Sequence, residues 1–150
     1  EAVIMPLVGK QNIIDAVEDL TIEREKQLRG IFLTGLSNIA IGTPVSDEGG
    51  RARNSWFFSA LKPSSGGVRS DDKNGNSSLR SLDRMPKDIL GKTLYYTNNM
   101  PYINKLEYGG FPDPVKGDGK KTIGGYSSQA PSGWVRKEMK KMQKAIRSIN

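Results

Sequence analysis

The chain has 150 residues, 35% of them hydrophobic, a formal net charge of +7, and neither cysteine nor histidine. That length fits one domain, residues 1–150, with a modest core. The missing residue types remove disulfides, thiolate metal sites, the commonest general base and the commonest transition-metal ligand, so no metal, no cofactor and no enzymatic chemistry is expected.

Asn12 opens a long helical pattern, with Asp15 three residues on in the manner of a capping box. Apolar residues at 13, 14, 17, 20, 28, 31, 32 and 39 fall on one helical face, and Glu25 and Arg29 stand at i,i+4, where they can pair. Gly30 and Gly35 weaken the later turns, and Thr43-Pro44 ends the helix. Ile22, Leu33 and Leu36 fall off the main face, which leaves a second buried face or a subunit contact open for them.

Gly42–Gly50 is a turn-rich link, after which Arg51–Leu61, with Trp56, Phe57 and Phe58, is expected as a strand in a half-buried sheet. Lys62–Ser78 is a pool of Ser, Gly, Asn and Asp whose composition cannot offset its ordering entropy by burial, so a mobile excursion is expected. Ser78–Leu90 reads as a short helix disturbed at Pro86, and Lys92–Thr97 as a second strand after Gly91. Asn98-Asn99 supplies a turn, and Pro101 starts a helix whose apolar side is Tyr102, Ile103 and Leu106, stopped by Gly109-Gly110.

A second polar pool, 111–129, precedes a last helix that Ser132 is placed to cap. Val135, Met139, Met142, Ile146 and Ile149 recur at helical spacing as one apolar stripe, and Arg136, Lys137, Lys140, Lys141, Lys144 and Arg147 cover the rest. Charge is divided along the chain. Residues 1–50 carry four basic and eight acidic side chains, and residues 51–150 carry nineteen and eight. A basic module of this kind can meet DNA non-specifically or an acidic protein surface, and a solvated helix face is the plainer alternative. No apolar run approaches bilayer-spanning length, and Glu1–Gly9 lacks a basic region followed by an apolar one, so a soluble chain without a membrane partner is expected.

Catalytic and phosphate-binding patterns fail on inspection. Gly91-Lys92-Thr93 has the end of a P-loop, but position 86 is proline where glycine is needed, and the segment runs into a strand. Gly117-Asp118-Gly119 lacks the third glycine of a dinucleotide fingerprint. Asp71-Asp72 sits in a polar pool, and the acids of the first helix form its wet face. Glu107, between Leu106 and Tyr108, is expected to be partly buried and paired, with Arg51 or Arg53 as its partner.

Three blocks, taken in order, resemble the neck and tail-completion proteins of long-tailed bacteriophages, the head-to-tail joining family. They are Gly42–Trp56, containing Arg51 and Arg53; Leu94–Gly109, containing Tyr102, Glu107 and Tyr108; and Gln129–Arg136, containing Trp134. The link Ser46–Arg51 is longer than the Asp-Thr-Gly-Arg turn usual in that family, and 111–128 has the character of an insertion. The resemblance implies an α+β fold, a long N-terminal helix and a C-terminal helix packed on a small antiparallel sheet. It further implies a homo-oligomeric ring, with six copies the expected number, in the neck of the virion after synthesis in the host cytoplasm. Its implied partners are a head-side connector or adaptor and a tail terminator or tail tube, around a channel that passes DNA. A basic nucleic-acid-binding module using the last helix is the competing reading.

Overall fold

A computed structural model of the chain describes residues 4–46, 48–66, 70–111, 122–128, 130 and 132–149. In chain order it forms α1 (Ile4–Gly42), β1 (Trp56–Ser59), α2 (Asn76–Ser81) running into a 3₁₀ turn (Leu82–Arg84), β2 (Tyr95–Asn98), α3 (Ile103–Tyr108), β3 (Thr122–Ile123), β4 (Tyr126–Ser127) and α4 (Trp134–Arg147). The class is α+β, with a long N-terminal helix and a C-terminal helix packed on a small antiparallel sheet. None of the described helices is long and apolar enough to cross a membrane.

α1 has 39 residues and is therefore about 58 Å long. It begins well before Asn12, because Pro6 falls in the first turn, where its missing N–H breaks no helical bond. Asn12 is thus interior, and Asp15 closes no capping box but accepts a hydrogen bond from Gln11 Nε2 at 2.9 Å. The helix ends at Gly42, ahead of Pro44 as expected.

The two halves of α1 differ. Leu28, Ile31, Phe32 and Leu33 pack against the core, and Leu36, Ile39 and Ala40 are buried in it. Leu33 and Leu36, off the main face by sequence, join the core because α2, the 3₁₀ turn and α4 surround this half over a wider arc than one stripe. Every described residue from Gly9 to Glu23 is exposed, and Ile13, Val17 and Leu20 are 66%, 55% and 54% exposed. The expected apolar face is therefore real as a pattern but bare over its first half. Arg29 does not pair with Glu25. Its guanidinium reaches the carbonyls of Pro86 (3.0 Å) and Met85 (3.5 Å), just past the 3₁₀ turn.

β1 and β2 pair antiparallel, with Trp56 opposite Asn98 and Phe58 opposite Tyr96. Trp56 and Phe58 face the core, while Phe57 and Ser59 are half-buried. The strand is shorter than Arg51–Leu61, because Arg51–Asn54 turns to deliver polar groups inward. The other edge of β1 is covered by α2. Trp56 N–H donates to Ser78 Oγ (2.9 Å) and Phe58 N–H to Ser81 Oγ (3.2 Å), so serines one turn apart complete the sheet edge. That requirement starts α2 at Asn76 and ends it at Ser81, earlier than the Ser78–Leu90 helix expected. Leu82, Met85 and Ile89 still reach the core.

The first polar pool is tied down on both sides of residues 67–69, which lie outside the described residues. Asn99 Nδ2 donates to the carbonyls of Ser64 (2.8 Å) and Gly66 (2.9 Å). Asp72 accepts from the N–H groups of Asn74 and Asn76, both at 3.0 Å. Side-chain acceptors turn the backbone here where burial cannot. In the second pool, 112–121 and Gln129 lie outside the described residues. Thr122–Ser127 forms an unexpected hairpin, whose two central residues, Gly124 and Gly125, have the positive φ (59° and 84°) that a tight hairpin turn requires.

Candidate functional site

The three sequence blocks converge at the C-terminal end of α1. A helix end leaves carbonyls without helical donors, and here side chains from two other blocks supply them. The Ile39 carbonyl accepts from Thr43 Oγ1 (2.8 Å) and from Trp134 Nε1 (3.1 Å). Thr43, fully buried, in turn accepts from Trp56 Nε1 at 2.8 Å. The Trp56 ring stacks on Tyr96, with centroids 5.2 Å apart. Tyr96 donates its hydroxyl to the Ser78 carbonyl at 3.1 Å, and burial holds its phenol well above the usual range. Both tryptophans thus bury large apolar surface while satisfying their N–H groups.

Glu107 joins the second block to the third. It is 5% exposed and accepts from the N–H groups of Val135 (3.0 Å) and Arg136 (2.9 Å) and from Arg136 Nε (2.8 Å). The Arg136 guanidinium also donates to the Glu107 carbonyl at 2.9 Å and lies over the Tyr108 ring at 4.5 Å. Hydrogen bonding to Glu107 raises the guanidinium further above its usual range. This arrangement corrects two expectations. The partner of Glu107 is Arg136, not Arg51 or Arg53, because its carboxylate faces the start of α4. Ser132 does not cap α4: the N-cap is Gly133 at φ 69°, which has no side chain, so Glu107 supplies the acceptor and a negative charge to the helix N-terminus.

The arginines of the first block have other work. Arg53 donates to the carbonyls of Thr43 (2.8 Å) and Lys73 (2.7 Å), tying the end of α1 to the first polar pool. Arg51 is exposed, and its carbonyl accepts from Ser55 Oγ at 2.6 Å. Asn98 Nδ2 donates to the Ala52 carbonyl at 2.9 Å, linking the second block to the first. Tyr102 and Tyr108 are 40% and 61% exposed, so Tyr102 does not join Ile103 and Leu106 in the core as the expected apolar side of this helix implies. α3 has only six residues and buries Leu106 and Glu107, which turns both tyrosines outward.

Sequence reasoning missed the buried polar residues that organise this hub, Thr43 and Asn54. Asn54, fully buried, donates to the carbonyls of Gly50 and Asp72 and accepts from Ser77 N–H at 3.1 Å. Thr43 had a signal, since a threonine four residues past Ile39 can bond that carbonyl at a helix end. Asn54 had none beyond its place in the first block. Among the described residues, no buried side-chain nitrogen or oxygen lacks a hydrogen-bond partner. The hub's buried polar groups are therefore all hydrogen-bonded.

Two surfaces remain. One is the bare apolar face of α1, between Gly9 and Glu23. The other is α4, whose Met142 is buried against α1 while Met139 is 49% exposed. Its cations divide: Arg136 serves Glu107 and Lys141 pairs with Glu138 at 3.2 Å. Lys137, Lys140, Lys144 and Arg147 are exposed and form no ion pair among the described residues. Beside them a groove of about 790 Å³ runs between α1 and α4, floored by Gly30, Ile31, Thr34, Ala145 and Ile149. Comparison of the chain with family models, curated proteins and solved structures gave no match.

Proposed function

We propose that the chain is a structural subunit of the neck of a long-tailed bacteriophage, forming a ring at the head–tail junction that joins the connector to the tail around the DNA channel. The observation that carries this reading is the convergence of the three blocks. The residues on which the resemblance rests meet in one hydrogen-bonded hub, through Ile39, Thr43, Trp56, Glu107, Trp134 and Arg136. Their joint role is to hold two helices and a sheet in fixed relation, which suits a load-bearing part.

The long bare half of α1 supports the same reading. An exposed apolar stripe on a helix that leaves its own domain is area that assembly covers. Electron microscopy of the purified chain with tail tubes tests the proposal: rings, or capped tube ends, are expected. Unassembled chain and bare tube ends at saturating protein would overturn it.

The four unpaired cations of α4 favour one further reading, non-specific contact with DNA. The logarithm of affinity then falls linearly with the logarithm of salt concentration, with a slope of about −0.9 per phosphate neutralised. Replacing Lys137, Lys140, Lys144 and Arg147 by glutamine is expected to flatten the slope measured by fluorescence anisotropy. An unchanged slope would sink this reading and leave the ring untouched.

A further inference from the structure

We infer that the bare half of α1 from one copy lies in the α1/α4 groove of the next copy, a head-to-tail contact between second copies of this chain. The inference rests on the ring reading for its setting, and it identifies the two surfaces that meet.

The geometry begins with the arm. At 3.6 residues per turn, Ile13, Val17 and Leu20 fall within about 60° of one another, a stripe of the width that seats in a groove. The stretch Gly9–Glu23 spans about 22 Å at 1.5 Å per residue. α4, with 14 residues, presents about 21 Å. α1 is one continuous helix to Gly42, so its first half leads away from its own groove and cannot fold back into it. An arm seated in this groove therefore comes from another copy of the chain.

Charge selects that chain. Between Gly9 and Glu23 the arm carries Asp15, Glu18, Asp19 and Glu23 against Lys10 alone. None of these four acids forms an ion pair among the described residues. On the groove side, Lys141 and Glu138 line the wall and pair with each other at 3.2 Å, and Lys137 and Lys144, which form no ion pair among the described residues, stand one turn to either side of Lys141 on α4. With the apolar stripe on the groove floor, Glu23, about 90° around the helix from the stripe, stands nearest the rim, Asp19 and Glu18 lie about 130° around it on either side, and Asp15 on the back adds only to the arm's net negative charge. Pairing of two arms with each other would instead set acid against acid along their length, and like charges facing across an interface are costly. The floor is also shaped for a close approach, because space lies open above Gly30. Because the surfaces differ, the contact is heterologous, and such contacts close into rings or continue as filaments.

The absence of cysteine provides a clean test in the 150-residue chain. Val17→Cys and Ala145→Cys chains of different mass are mixed and oxidised under assembly conditions. The expected product is a mixed disulfide dimer, with a covalent ladder from the chain that carries both substitutions. Val17→Cys linking only to itself would overturn the inference, as would rings that form with the two cysteines unlinked. A chain that stays monomeric at all concentrations in sedimentation would overturn it too. Mixed dimers without rings would keep the inference and sink the ring.

A second arm relies on charge at solvent-exposed positions, which leaves the fold intact. Asp19→Lys with Glu23→Lys, or Lys137→Glu with Lys144→Glu, is expected to weaken self-association about tenfold or more, and all four together to restore it. Loss without restoration would contradict the pairing.

Discussion

Glu107→Ala is the perturbation that most directly probes the hub. The carboxylate serves two backbone N–H groups at the start of α4 and Arg136 Nε, at 2.8–3.0 Å. Losing a helix cap costs about 1 kcal/mol, and losing charge-assisted hydrogen bonds at a buried site adds about 1.5–3 kcal/mol. The Arg136 side chain is 47% exposed and recovers solvation, which discounts the ion-pair share. A destabilisation of about 3 kcal/mol is expected for Glu107→Ala, and about 2 kcal/mol for Glu107→Gln, which keeps one acceptor but turns an NH₂ toward backbone donors. Arg136→Ala leaves the cap in place and is expected to cost less than either Glu107 substitution. Urea denaturation at neutral pH, with equal m-values across the series, reads these differences. The reasoning is refuted if Glu107→Ala falls within about 0.5 kcal/mol of the parent, the range of an uninvolved surface site, or if Arg136→Ala costs more than Glu107→Ala.

The two glycines of α1 are expected to respond with opposite signs. Gly30→Ala, with open space around the new methyl, should stabilise by about 0.5–1 kcal/mol, whereas Gly35→Ala drives a methyl into the Met142 side chain and should cost about 1–3 kcal/mol. Thermal unfolding of both variants checks the pair. Trp134→Phe removes the donor to the Ile39 carbonyl and part of a buried ring, an expected loss of about 2 kcal/mol with a changed near-UV circular dichroism spectrum. Hydrogen bonds from the N–H groups of Asn74 and then Asn76, with lesser help from Arg80, hold the Asp72 carboxyl below its usual value. Its contribution is therefore fully present above the unfolded value of about 3.9 and is lost as pH falls through the lower folded value. Protection of the Asn74 and Asn76 amides against exchange, taken relative to their intrinsic rates at each pH, should fall below about pH 3.9, and Asp72→Asn should abolish that pH response.

The fold class and most element positions were legible because their signals are local. Pro44 bounds α1, the Trp56–Phe58 cluster marks β1, and the Val135–Met142–Ile146 spacing marks α4. What escaped depends on long-range contact. Nothing near Gly133 reveals that Glu107, far off in the chain, caps α4. Nothing near Ser78 and Ser81 reveals that they complete a strand edge, so α2 was placed too late. The start of α1 was missed because Asn12 and Asp15 offered a cap signal that a continuing helix made irrelevant. The bare first half of α1 was equally invisible, since an amphipathic pattern does not specify which part of an apolar face its own domain covers. At the hub, Trp56, Glu107 and Trp134 stand among the residues the sequence singled out, while Thr43 and Asn54 passed unnoticed because a buried polar residue is recognised only by its partners.

The most direct test of the account is an image of assembled particles carrying a tagged copy of this chain. It predicts a closed ring of the chain at the head–tail junction, encircling the DNA channel. Particles whose neck lacks the tag, or that carry it elsewhere, would contradict it.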